Sequence, residues 1–172
     1  PSYRMYGSGV PMQYTYDQSE LYRLRSIVTG ATSTAGATTS TNTYALDLEA
    51  DSTQYTSASD SASLSITGDL SIEIWINPET SLSGLGRHFV NKSSSGTDES
   101  FILYHTSSDN LDLMIRPSSG SAVDKGVSMT FDTGSWQHLM ATYKASTGDV
   151  KFYKNCVQQG STQTGYPANI KD

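Results

Sequence analysis

From Tyr44 onward, apolar and polar residues alternate in short runs separated by clusters of Gly, Ser, Asp and Pro. In YALDLE, Tyr44, Leu46 and Leu48 fall on one side of an extended chain, and Ala45, Asp47 and Glu49 on the other. LSIEIWINP places Ile72, Ile74 and Ile76 on one face and Glu73 and Trp75 on the opposite one, and Pro78 ends the ladder. RHFVNK, ESFILYH, NLDLMIRP, VSMTF, WQHLMATYK and VKFYKN follow. Short runs spaced about 8–12 residues apart predict the strands of an antiparallel sandwich or barrel. No strong helical period appears after residue 44, so an all-β domain is predicted over 44–172.

The first 43 residues have a different texture. Residues 1–29 form an arm with aromatic and Met residues at near-alternate positions: Tyr3, Met5, Tyr6, then Met12, Tyr14 and Tyr16. In DQSELYRLRSIV, Asp17 or Ser19 would cap one short helix with Leu21, Leu24 and Val28 on one side. At this length such a helix needs a packing partner, and an irregular arm lying on a neighbour is the equal alternative. Residues 30–43, GATSTAGATTSTNT, hold nothing that builds a core and are expected to be a flexible linker.

Composition narrows the function more than it names it. A net charge of −6 over 172 residues, with the 11 Lys and Arg scattered, argues against a nucleic-acid partner. No apolar run approaches the roughly 20 residues that span a bilayer, so membrane insertion is not expected. No signal-peptide pattern opens the chain, and Pro1 stands where an initiator Met would, as expected of a processed product or a fragment. Cys156 is the single cysteine, which rules out an internal disulfide and a Cys-based zinc site. A Ser- and Thr-rich, Lys-poor chain of this kind fits an extracellular or virion surface.

Two stretches carry a family resemblance. YALDLEADSTQYTSASDSASLSITGDLSIEIWINPE and GSWQHLMATYKASTGDVKFYKNCVQQGS resemble the laminin G-like jelly roll, an antiparallel sandwich of the concanavalin A-like kind related to pentraxins and legume lectins. Trp136 and His138, two residues apart, are expected on one face of a strand. The resemblance implies that they and Trp75 are core packing and not chemistry. Two departures stand out. Asn155-Cys156 occupies a hairpin where the family usually has Asp-Gly or Asn-Gly, so either the loop differs or a thiol is partly exposed at a strained position. The chain also stops at NIKD, without the family's terminal strand, which would leave an open edge beside the first strand. The arm at 1–29 would fill that edge, in cis or on another copy, or the chain is an incomplete piece of a longer one.

Three kinds of chemistry bear on a fold of this kind. Glucanases related to this fold place carboxylates on alternate residues of one strand, roughly 5 Å apart. Glu49 and Asp51 come nearest, Asp98 and Glu99 would point to opposite faces, and Glu73 stands alone, so no enzyme is expected and a glycoside hydrolase is the weakest alternative. With three His and no Gly-x-Ser-x-Gly elbow, a serine-type site finds no support either. Calcium, which such domains often hold by loop oxygens, would find ligands at Asp47, Glu49 and Asp51, or around Asp109, Asn110 and Asp112. Tyr104, Asp109 and Asn110 sit in one strand-turn unit and are the candidate glycan contacts. Asn91-Lys92-Ser93 is a glycosylation sequon. The leading expectation is a non-catalytic surface, structural or adhesion module of a virion or extracellular assembly, contacting other copies or neighbouring subunits through residues 1–29. The alternative is a Ca²⁺-assisted carbohydrate-binding domain of a larger secreted protein.

Overall fold

Apolar residues from most of these runs are buried in one core, and the runs come together from two sides. The computed structural model describes residues 2–7, 10–15, 45–48, 54–93 and 99–172. They fall into two units, Pro1–Ala58 and Ser59–Asp172. In the first unit, β1 (Ser2–Gly7) and β2 (Val10–Thr15) pair antiparallel as a hairpin, with Ser2 opposite Thr15 and Gly7 opposite Val10. The predicted helix around 17–28 and the linker at 30–43 lie outside the described residues. Residues 45–48 correct the reading of YALDLE, because they form no strand, and Leu46 and Leu48 are exposed. Alternation shows which side of a run is fit for burial, but a strand also needs a partner ladder, and none of the described residues provides one here.

The second unit is the sandwich. Its strands are β3 (Leu70–Ile76), β4 (Arg87–Ser93), β5 (Glu99–His105), β6 (Asn110–Ile115), β7 (Val123–Ser128), β8 (Gln137–Lys144), β9 (Asp149–Lys154) and β10 (Val157–Gln163). Among the described residues they make two antiparallel sheets of four, in the orders β10-β9-β8-β3 and β4-β5-β6-β7. The first contributes Leu70, Ile72, Leu139, Ala141, Tyr143, Val150 and Phe152 to one core, and the second contributes Phe101, Leu103, Leu111, Leu113, Ile115 and Val127. This is the predicted concanavalin A-like jelly roll. Two strands differ from the predicted set. Of VSMTF only Val127 and Ser128 are in a strand, since β7 runs through the polar stretch Val123–Ser128, and β10, VQQGSTQ, has no alternation to announce it.

Trp75 and Trp136 are corrections as well. Both were expected in the core, and both are about half exposed, at 54% and 53%. The period of two decides Trp75: with Ile72, Ile74 and Ile76 turned toward the core, residue 75 must face outward. Trp136 precedes β8, and Gln137 takes the inward place opposite Ile76, its amide bonded to Asp132 and Ser135. His138 is buried, but on the outer side beside Trp75 and apart from the core cluster.

The β9–β10 hairpin keeps its two-residue turn. Asn155 and Cys156 both adopt positive φ, 51° and 67°, as a type I′ turn demands, and the Cys156 thiol is exposed. Asn155 is secured by its own N–H on the His138 carbonyl (2.8 Å) and by its side-chain oxygen, which accepts the His138 N–H (2.9 Å). After β10 the chain laces across the sandwich. Tyr166 N–H donates to Gly148 O, its hydroxyl reaches Leu113 O and Lys125 O, and Ile170 and Lys171 donate to Thr67 O and Arg116 O.

Candidate functional site

With the inner faces filled by core, any site on the sandwich belongs to an outer face or a rim. On the β4–β7 sheet, the register lines up His88, Tyr104, Asp112 and Gly126 as one row across all four strands. Asp112 is the polar position between Leu111 and Leu113, so burying the leucines turns its carboxyl outward. His88 and Tyr104 meet edge to face, with ring centroids 5.5 Å apart. The Tyr104 hydroxyl donates to Asp124, one pair along β7 and opposite Met114.

Asp112 carries the row's unpaired acceptor among the described residues. Its Oδ1 is buried and has no hydrogen-bond partner among the described residues. The carboxyl lies over Gly126, where any Cβ would overlap Asp112 Oδ1 and Leu111 O, so the site requires glycine. Burial, and after it the charge of Asp124, raise the Asp112 pKa from the ordinary carboxylate range to about 6. Burial and the bond to Asp124 likewise keep the Tyr104 phenol protonated well beyond its usual range, so it acts as a donor. The result is a patch rich in acceptors, framed by two aromatic rings.

The structure distributes the sequence candidates unevenly. Tyr104 is in the row, and Asn110 lies on the same face two residues before Asp112. Asp109 turns away: at φ 59° it accepts from Ser83 Oγ (2.9 Å) and Gly84 N–H (3.0 Å), pinning the loop before β4. Those bonds, that of Gly84 first, hold its carboxyl below the usual range. Asp47 is exposed and outside any strand, while Glu49 and Asp51 lie outside the described residues. Among the described residues, no three His, Cys, Asp or Glu side chains gather to hold a metal, and the Asp109 carboxylate is spent on Ser83 and Gly84. His88 and Asp124 escaped the sequence reading, because only the strand register brings them beside Tyr104. Asn91 of the sequon is exposed on β4.

Residues 50–172 match Laminin_G_3, of the concanavalin A-like lectin/glucanases superfamily, and the chain belongs to that family. Among solved structures it is similar to a candidate carbohydrate binding protein from Bacteroides ovatus, at 17% identity and a TM-score of 0.46 over 62% of this chain and 28% of that one. It is also similar to the native heptameric SAP-like pentraxin from Limulus polyphemus, at 18% identity and a TM-score of 0.40 over 59% of this chain and 47% of the other. The matched region thus spans less than half the length of either protein. None of the curated proteins matches the chain. Among the described residues no helix is long and apolar enough to cross a membrane.

Proposed function

We propose that this domain is a non-catalytic carbohydrate-binding module that reads sugar hydroxyls at the His88–Tyr104–Asp112 row. The observation that carries this reading is Asp112 Oδ1, a buried acceptor lacking a partner among the described residues, beside a second carboxylate and two aromatic rings. A few convergent polar groups beside aromatic surface, with a perturbed pKa among them, mark a ligand site. Membership of a lectin and glucanase superfamily supports a sugar as the ligand. Against catalysis, Asp112 and Asp124 lie on adjacent strands instead of alternating along one. Tyr104 also engages the Asp124 carboxylate that would have to act as nucleophile or base. An extracellular setting belongs to the same proposal.

The test is calorimetric titration of a glycan panel with the wild type and the Asp112→Asn variant. The variant is expected to lose at least about tenfold in affinity, the scale of one charge-assisted hydrogen bond. Unchanged affinity would remove the row from the site.

A second reading, a subunit of a virion or extracellular assembly, is favoured by one observation. The β1–β2 sheet has two strands, and a two-stranded hairpin alone is marginal in water. Packing against another chain would stabilise it.

A further inference from the structure

The outer face of the β10-β9-β8-β3 sheet has its own chemistry. Trp75 stands opposite His138, Glu73 opposite Met140 and Tyr153, and Ser71 opposite Thr142 and Lys151. Trp136, two residues before His138, lies at the same end of the sheet as Trp75. The chain contains two tryptophans, and both are left half in water at this one end.

Trp75 is supported from beneath. Its ring leans on the His138 imidazole, with centroids 5.2 Å apart and planes inclined at 42°. His138 is 9% exposed, its Nε2 lies 3.3 Å from Glu73 Oε2, and its buried Nδ1 has no partner among the described residues. The indole is therefore a braced surface with much of its area free for a ligand. A polar imidazole nitrogen has been buried to build that end of the sheet, which packing alone does not require.

Farther along the same face lies a shallow hollow of about 450 Å³. Ser71, Thr142, Lys151 and Tyr153 line it, together with the Asp69–Lys144 ion pair. That pair is internally satisfied: Lys144 Nζ is 2.8 Å from Asp69, which also accepts the Ala145 N–H at 2.8 Å. What the hollow offers is hydroxyls, an ammonium and the edge of a phenol. Trp75 and Ser71 are four residues apart on β3, about 13 Å at ~3.3 Å per residue, and Tyr153 is level with Glu73 between them but two strands over, on β9.

We propose that this face is a second glycan-binding surface, separate from the row on the opposite sheet, taking a stretch of roughly three rings of a neutral polysaccharide along that span. The class of ligand rests on the glycan reading above; the location does not. A sugar ring has an apolar C–H side that packs on indole and phenol, and hydroxyl edges that bond Ser, Thr and Lys. A chain of such rings matches an aromatic end at Trp75 and Trp136 and a polar hollow walled on one side by the Tyr153 phenol. The mixed and mostly paired charges of the face give a strongly anionic or cationic ligand no advantage.

Because Trp75 and Trp136 are the chain's two indoles, tryptophan emission reports this end of the sheet alone. The experiment titrates wild-type protein with neutral gluco-, xylo- and manno-oligosaccharides, from monosaccharide to hexasaccharide, following both heat and emission. The expected result is a blue shift that saturates with the bound sugar and survives in Asp112→Asn. Tetrasaccharide should bind at least tenfold more tightly than monosaccharide. Trp75→Ala, and independently Trp136→Ala, should weaken binding at least tenfold with melting temperature preserved, and Trp75→Tyr should recover part of it.

Heat of binding without any change in emission would overturn this second surface and leave the Asp112 row standing. An emission shift unaltered in Asp112→Asn, with no other binding heat, would do the reverse. Equal affinity for monosaccharide and tetrasaccharide, or full binding by both alanine variants, would also overturn it. So would a wild-type oligomer, seen by light scattering, that Trp75→Ala dissociates, since the face would then be a contact between copies. Failure of every sugar in the panel would remove both readings.

Discussion

Asp112 sits where three neighbours limit what its carboxyl can do: Gly126 beneath it, Asp124 to one side and the Tyr104 ring to the other. Folding raises its pKa, so the folded protein holds that proton more tightly than the unfolded chain does. Stability contributed by this group therefore falls as pH rises from the ordinary carboxylate range to about 6, and the cost is fully present above it. Asp112→Asn is expected to raise stability at pH 7 by about 1 kcal/mol, the full linkage value being discounted because water screens a half-buried group. At pH 4 the variant and wild type should melt together. Paired melting curves at the two pH values check this, and a gain of the same size at pH 4 would contradict it. A residue whose removal stabilises the protein while weakening its ligand is what a site under functional constraint looks like.

At the scale of the element, the β9–β10 hairpin shows how a turn type can outweigh residue preference. Both positions need positive φ, and Asn155 tolerates it while also bonding the His138 backbone. Cys156 tolerates it poorly, so Cys156→Gly is expected to stabilise the domain by about 1 kcal/mol, measured by urea unfolding with an unchanged m-value. A loss of stability would mean that the thiol makes a contact the turn depends on. The same contest between pattern and partner decided which strands were legible. LSIEIWINP, ESFILYH, NLDLMIRP and WQHLMATYK read correctly because one side of each packs into the core and calls for an apolar residue at alternate positions. β7 and β10 did not, because much of Val123–Ser128 and Val157–Gln163 is exposed or half-buried and its side chains can be polar. YALDLE had the alternation without a described partner. Within the candidate site, Tyr104 and Asn110 were legible as outward polar or aromatic positions. His88 and Asp124 required the register, which pairs residues far apart in sequence and leaves no local mark.

For the whole molecule, the family and the sandwich were legible from residue order alone. The two tryptophans were misread because their place was taken from the family resemblance, although the period of two already set Trp75 on the face opposite Ile72, Ile74 and Ile76. If the β1–β2 hairpin docks on another chain, light scattering should find a defined oligomer that dissociates when residues 1–29 are deleted. A monomer in both cases would remove the assembly reading. The lacing after β10 has a mechanical consequence. Its ties to Arg116, Thr67, Gly148 and the β6–β7 carbonyls are strung along the chain from Lys171 back to Tyr166, instead of standing abreast. A load applied at Lys171 would meet them one after another, like stitches in a seam. The seam would yield in small steps before tension reached the β-ladders, making this stretch a shock absorber for the sheets that carry both outer faces.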